Sequence, residues 1–378
     1  MKKLFTVMLA LFLLCGCAAA VSACEEGTQG GSDTGVTFAL PDDGASYIVD
    51  GTIGAEAPTE IVIPAEHDGL PVTAIGDLAF RSNRALTSIT IPDSVTSIGD
   101  YAFMYCTSLT DVTLGNGMQT IGAQAFDGCD LLSITIPRSV TQIGRSAFNG
   151  CNRLIEVYNL SSLNIVAGSS ENGYVGYYAK DIYTSESAQS KLSATTDGFI
   201  VYADEDDSEY CLMGYTGQRT DLTLPANIAG NRYTIYDHAF YRAEQLTGVT
   251  IPDGVTAIGD SAFSGCSSLQ SVTMGRGVRT IGNSAFARCS SLRSMMVGDG
   301  VTAIGGYAFS ECTSLTDVRL PGGLTSIGDW GFTYCTSFTN ITFDGTRTEW
   351  NAVKKGTQWD DNTGNFTVHC TDGNIAKG

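Results

Sequence analysis

Apolar residues return along this chain with a long, fixed period. Phe80, Phe103, Phe126 and Phe148 are separated by 23, 23 and 22 residues, and Phe240, Phe263, Phe286, Phe309 and Phe332 by 23 throughout. The segment from Leu86 to Cys106 reads LTSITIPDSVTSIGDYAFMYC, and its successor LTDVTLGNGMQTIGAQAFDGC repeats the pattern L-x-x-[IV]-x-[IL]-P/G-x-x-V-x-x-I-G-x-x-A-F-x-x-C. Self-similarity at such a period marks a solenoid, in which one repeat makes one coil and cannot bury its apolar face alone. Within a coil, Leu86, Ile89 and Ile91 have the spacing of a short strand whose aliphatic side chains point inward beside the equivalent strand of the next coil. Pro92 or Gly115 ends that strand. Val95 and Ile98 form a second inward pair, Gly99 turns the chain, and Ala102 and Phe103 fill the far side. The expected fold is an α/β-type repeat solenoid, mostly β, with short strands and single-turn helices.

A second symmetry lies above the first. Phe38 to Phe80 mirrors Phe199 to Phe240, with TEIVIP answering TDLTLP and VTAIGDLAF answering YTIYDHAF, and each begins with a polar hairpin tip, Asp42 to Gly44 or Asp204 to Asp207. After the Phe148 and Phe332 repeats come atypical aromatic segments, as terminal coils need in order to cover the end of the core. This gives two capped arrays, residues 38–185 and 198–378, joined by a polar linker at 186–197. The single 22-residue step reflects one residue missing between Cys129 and Leu131, a local adjustment of register.

The cysteines follow the same register. Cys106, Cys129, Cys151, Cys266, Cys289, Cys312 and Cys335 each lie three residues after the Phe of their repeat, while Asn83 and Ala243 hold that place in the first repeats. Equivalent residues of stacked coils carry parallel side chains, whereas a disulfide needs converging Cβ vectors, so a column of buried free thiols is expected. Cys211 and Cys370 lie outside this column.

The N-terminus predicts export. Lys2 and Lys3 precede an apolar run, Leu4 to Leu14, too short for a membrane span and suited to a signal peptide. Val21-Ser22-Ala23-Cys24 then matches the bacterial lipobox, which assigns residues 1–23 to a lipoprotein signal peptide and makes Cys24 the acylated N-terminus; Leu14 to Cys17 is a weaker second match. Residues 24–37 are polar and rich in Gly, Ser and Thr, the composition of a flexible tether. Without the signal, 19 basic side chains face 40 acidic ones, a net charge near −21 that repels nucleic acid and anionic lipid headgroups.

The string I-P-x-x-V-x-x-I-G-x-x-A-F-x-x-C resembles the BspA-like leucine-rich repeats, from Phe38 onward. The resemblance implies a bacterial surface protein that adheres to host matrix proteins such as fibronectin and fibrinogen, or to other cells.

Little in the chain points to catalysis. Histidine occurs only at His67, His238 and His369, without HExxH, GxSxG or P-loop motifs, so no catalytic residue, cofactor or metal is assigned. Asp204 to Asp207 reads as a solvated turn rather than a Ca²⁺ site, because consecutive acids cannot all face one ion. Trp350 and Trp359 in the last cap would suit a glycan-binding platform, the alternative partner being a cell-surface carbohydrate, although caps need bulky cover anyway. The outward position of the first strand carries Thr90, Thr113, Thr135, Thr250, Thr273 and Thr342, a row suited to a solvated sheet. Tyr158, Met296 and Arg319 interrupt it, and such side chains are enriched in interface cores. Arg293 lies just before that strand, and Arg276, Arg279 and Arg288 in neighbouring coils suggest a basic patch around it. Tyr158, Met296, Arg319 and Arg293 are therefore the candidate ligand-binding residues for an extracellular protein.

Overall fold

The computed structural model describes residues 35–52, 58–204, 206 and 208–377. The signal peptide, Cys24 and nearly all of the tether lie outside them. The chain forms two compact units that divide between Ser190 and Lys191.

The first unit opens with an antiparallel hairpin, Val36–Ala39 against Tyr47–Thr52. It continues as a parallel sheet through Leu70–Ile75, Ser97–Ile98, Thr120–Ile121 and Gln142–Ile143, one strand per coil. These are the Val-x-x-Ile-Gly segments. The Leu-x-x-Ile-x-Ile segments build the other faces: Glu60–Val62, Ser88–Thr90 and Asp111–Thr113 pair in one parallel sheet, and Ser133–Ile136, Glu156–Asn159 and Asp181–Tyr183 in a second. Inward residues of both strand types and the Phe column share one continuous core that includes Leu86, Ile89, Val95, Ile98 and Phe103.

The second unit repeats the plan. Its long sheet begins with antiparallel strands Leu192–Ala194, Phe199–Asp204 and Glu209–Tyr215 and runs on in parallel through Tyr233–Ile235, Val255–Ile258, Thr280–Ile281, Ala303–Ile304, Ser326–Ile327 and Lys354–Lys355. Opposite lie Asp221–Thr223, Gly248–Ile251 and Ser271–Met274, then Ser294–Met296, Asp317–Leu320, Asn340–Phe343, Thr367–Cys370 and Gly373–Ala376. Leu192–Ala194 falls inside the polar segment read as a linker. Leu192 is buried there, so that part of the chain belongs to the cap of the second array. Asp204, read as part of a solvated tip, is also buried and bound by Lys191, Nζ to Oδ2 2.6 Å.

On the far side the expected single-turn helices are replaced by turns, and the cause is local. Each coil holds two left-handed residues, two positions before and two after its Phe, as at Tyr101 (φ 60°) and Tyr105 (φ 61°). A right-handed helix cannot pass through such a residue. The amide groups freed in this way are satisfied by the next coil: the N–H groups of Tyr101, Phe103 and Tyr105 donate to the carbonyls of Ala123, Ala125 and Asp127 at 2.7 to 2.9 Å. The Asp of Ile-Gly-Asp adds a side-chain link, Asp77 Oδ1 accepting from Asp100 N, and Asp100 Oδ1 from Ala123 N, both at 2.7 Å. Among the described residues the only α-helix is Arg347–Ala352, closed by a capping box between Thr346 and Glu349.

The Phe column is a stack of near-parallel rings, with centroids 5.0 Å apart from Phe80 to Phe103 and again from Phe103 to Phe126, the coil spacing itself. The thiol column stands beside it, each Sγ donating to the Phe carbonyl of the preceding coil, as Cys106 does to Phe80 (3.0 Å) and Cys335 to Phe309 (3.0 Å). This explains the exceptions: Asn83 and Ala243 sit in the first Phe-marked coil of each array, where no earlier Phe carbonyl exists to receive a thiol proton. All seven cysteines are free and buried. Burial pushes the Cys106 and Cys266 thiols up to about 12 and raises Cys129, Cys151, Cys312 and Cys335 as well.

Candidate ligand-binding face

The outward row read from the sequence is a physical column. In-register parallel pairing sets Thr90 beside Thr113, and Thr223 beside Thr250 and Thr273. In the second unit Met296, Arg319, Thr342 and His369 stand side by side on four successive strands. Met296 is 57% exposed although the Met295 beside it is core, because alternate residues of a strand point to opposite faces.

Arg319 is held more firmly than its sequence position suggests. Its guanidinium grips Asp344 with two contacts, Nε to Oδ1 3.1 Å and Nη2 to Oδ2 2.8 Å, which raises its pKa through that hydrogen bond, while Nη1 lies 3.8 Å from Met296 Sδ. Such a fork-to-fork pair fixes the orientation of the guanidinium. An apolar side chain and an oriented cation therefore lie next to each other on a rigid sheet. Asp344 was not legible as part of this face, because it sits beyond the following strand, and only the return of the next coil brings it alongside.

The other candidates fall differently. Arg293 is exposed in the same coil as Met296, three residues earlier, and its carbonyl accepts from the N–H and hydroxyl of Thr316 at 2.8 and 3.0 Å. Tyr158 belongs to the first unit, half-buried between Thr135 and Tyr183, with its ring 4.8 Å from that of Tyr183. Burial raises its pKa first, and the buried carboxylate of Glu156 second. This makes it part of an aromatic end cap more than a projecting anchor.

The expected basic patch is largely neutralised. Arg276 pairs with Asp299 (3.5 Å) and Arg288 with Glu311 (3.1 Å), and Arg279 Nη1 donates to the Gly300 carbonyl (3.2 Å). Arg288 also lies on the turn side, two residues after Phe286, and not on the strand face. Sequence proximity joined these arginines, but the coil separates them. Trp350 is buried against Phe343, and Trp359 packs on the core between Trp350 and Phe366, so both rings serve the cap.

Stacked coils with an inward Leu/Ile row, a Phe column and a solvent-facing sheet define a leucine-rich repeat solenoid. Residues 73–170 and 233–352 match the BspA type leucine rich repeat region in six copies, and the chain belongs to that family. None of the curated protein sequences matches it. Among solved structures, a leucine rich cell surface protein from Faecalibacterium prausnitzii is 27% identical over 87% of this chain and 98% of its own, with a TM-score of 0.43. A leucine-rich repeat protein from Bacteroides capillosus is 36% identical over 35% of this chain and 96% of its own (TM-score 0.30). The pneumococcal vaccine antigen PcpA is 18% identical over 85% and 90% (TM-score 0.43).

Proposed function

We propose that this protein is a lipid-anchored bacterial surface protein that adheres to an extracellular protein through the strand face of its second array, without catalysis. The observation that carries the reading is the Met296–Arg319 pair. It replaces the threonine row with an exposed thioether beside a guanidinium oriented by Asp344. Side chains of these types are favoured in interface cores, and a contact residue already fixed in its bound orientation loses little entropy on association. The broad, shallow face of a solenoid suits a macromolecular partner more than a small substrate. Location rests on the segment Val21 to Cys24, with residues 25–35 as the tether that lifts the arrays from the membrane.

The test is binding of the mature protein to immobilised fibronectin and fibrinogen, with the Met296→Thr/Arg319→Thr protein as reference. Saturable binding to either protein supports the reading, and no binding to these or to a wider panel of matrix proteins refutes it. The anchor is tested by mass spectrometry of the native N-terminus. A diacylated or triacylated Cys24 is expected, and an unmodified terminus at or beyond Cys24 contradicts it.

A further inference from the structure

We propose that the turn side of the second array holds a separate groove that binds a neutral oligosaccharide. The proposal does not depend on the strand face. The position two residues before each Phe forms a column along this side that reads His238, Ser261, Ser284, Tyr307 and Trp330. Two consecutive serines between large rings leave a notch two coils long. With a strand spacing of about 4.8 Å, three coil steps place His238 and Tyr307 roughly 14 Å apart, which is room for a short oligosaccharide. The notch is part of a longer groove, lined from His238 to Asp361, with a volume of about 610 Å³.

Its end wall is a prepared stacking surface. Trp330 Nε1 donates to Gln358 Oε1 at 2.9 Å, which fixes the indole, and Tyr307 lies on it with ring centroids 5.0 Å apart and planes 17° from parallel. One face of Tyr307 is thus backed by Trp330. The other looks along the column toward Ser284, whose small side chain leaves it uncovered. Tyr241 at the opposite end and Tyr334 beside Trp330 are also exposed, at 48% and 52%. Tyr307 and Tyr334 adopt a left-handed backbone (φ 55° and 57°) that bulky side chains seldom take, and Ser261 and Ser284 show that the position of Tyr307 can be filled without a ring.

The polar groups match hydroxyls rather than charge. Hydroxyls of Ser261, Ser284, Ser264, Ser310 and Thr333 line the groove. The cation of Arg288 is engaged by Glu311, and Asp361 adds a further carboxylate, so no excess positive charge remains for a uronic or sialic acid. Paired charges still offer N–H donors and carboxylate acceptors to neighbouring hydroxyls, while the C–H face of a pyranose covers Tyr307.

The test is affinity electrophoresis of the mature protein through gels containing soluble starch, galactomannan, arabinoxylan or laminarin, with alginate and heparin as charged controls. At least one neutral polysaccharide should retard the protein. Tyr307→Ser and Trp330→Ser copy residues already found at this backbone position, and each should weaken retardation at least tenfold. Ser284→Tyr should abolish it by filling the notch; all three variants should unfold cooperatively, with a modest drop in midpoint for Tyr307→Ser and Trp330→Ser from the lost ring stack. Met296→Thr with Arg319→Thr should leave it intact. Absence of retardation by every neutral polysaccharide, retardation by the charged ones alone, or full retention in well-folded Ser284→Tyr would overturn the proposal.

Discussion

Alkaline pH should unfold each array more steeply than its size alone would suggest, because its thiols are held neutral. The ordinary thiol value is 9.0, and burial pushes Cys106 and Cys266 up to about 12, with Cys129 and Cys151 raised in the first array and Cys312 and Cys335 in the second. A raised folded-state pKa contributes stability that is fully present below the unfolded value, here pH 9, and is lost as pH climbs from there toward the folded value. Each thiol then costs about 1.4 kcal/mol per pH unit, and three such thiols per array about 4 kcal/mol per unit. Against a typical domain stability of about 5–15 kcal/mol, unfolding should begin within roughly one to four units above pH 9. In the second array Tyr233 and Tyr236, also raised by burial, add to the slope above pH 10. The assay is urea unfolding followed by circular dichroism under reducing conditions at pH 8, 9.5 and 10.5, comparing wild type with Cys129→Ala and Cys312→Ala. Cys129→Ala should lose about a third of the slope of the first array, and Cys312→Ala about a third of that of the second between pH 9 and 10, before the tyrosines contribute. Urea midpoints that stay constant from pH 8 to 10.5, or slopes unchanged in the variants, would refute the buried-column account.

At pH 8 the seven column thiols should react slowly with iodoacetamide until denaturant is added, and a Cys266–Cys289 disulfide in protein taken from its own cell surface would contradict the column. Arg153 is buried and contacts Asp130, whose side chain is a third exposed, at 2.5 Å, so Arg153→Ala should lower the stability of the first array by about 1.5–3 kcal/mol in urea titration, whereas a change below about 0.5 kcal/mol would show that the pair is solvated. Asp100→Ala removes a side-chain acceptor for the next coil and should cost about 0.5–2 kcal/mol, comparable to loss of a helix cap, with a smaller loss expected from Asp43→Ala, whose carboxylate accepts from Ala45 N within the exposed hairpin tip.

The fold was legible because a solenoid writes its geometry into a period. Phe103 and Cys106 recur at one place in every coil, so their stacking follows from the register alone, as does the outward row ending in Met296 and Arg319. What the sequence concealed was conformation without composition. Tyr101, Ser261 and Trp330 share a left-handed backbone that glycine would have advertised, and their side chains gave no sign that turns would replace helices. Charge pairing was hidden for a related reason. Asp299, Glu311 and Asp344 lie 23 to 25 residues beyond the arginines they bind, and only the coil brings them together. The Ser284 notch was unreadable because it is defined by what neighbouring coils carry, and small side chains look unremarkable one repeat at a time. Leu192 was missed because a three-residue strand leaves too short a pattern within a polar segment.

Replacing Met296 and Arg319 together by threonine restores the background row and leaves the core untouched, so it tests the strand-face reading most directly. Met296→Thr is a surface change of no more than about 0.5 kcal/mol and loss of the Arg319–Asp344 pair adds a modest further cost, of the size usual for surface ion pairs, which leaves the protein folded, while loss of two interface anchors weakens binding by about 2 kcal/mol, some thirtyfold in Kd. The measurement is the Kd of Met296→Thr/Arg319→Thr for the immobilised matrix protein that wild type binds, with Thr90→Ala/Thr113→Ala as the control. The account expects a loss of about thirtyfold or more in the first variant and none in the control; an unchanged Kd in a normally folded Met296→Thr/Arg319→Thr protein would contradict it.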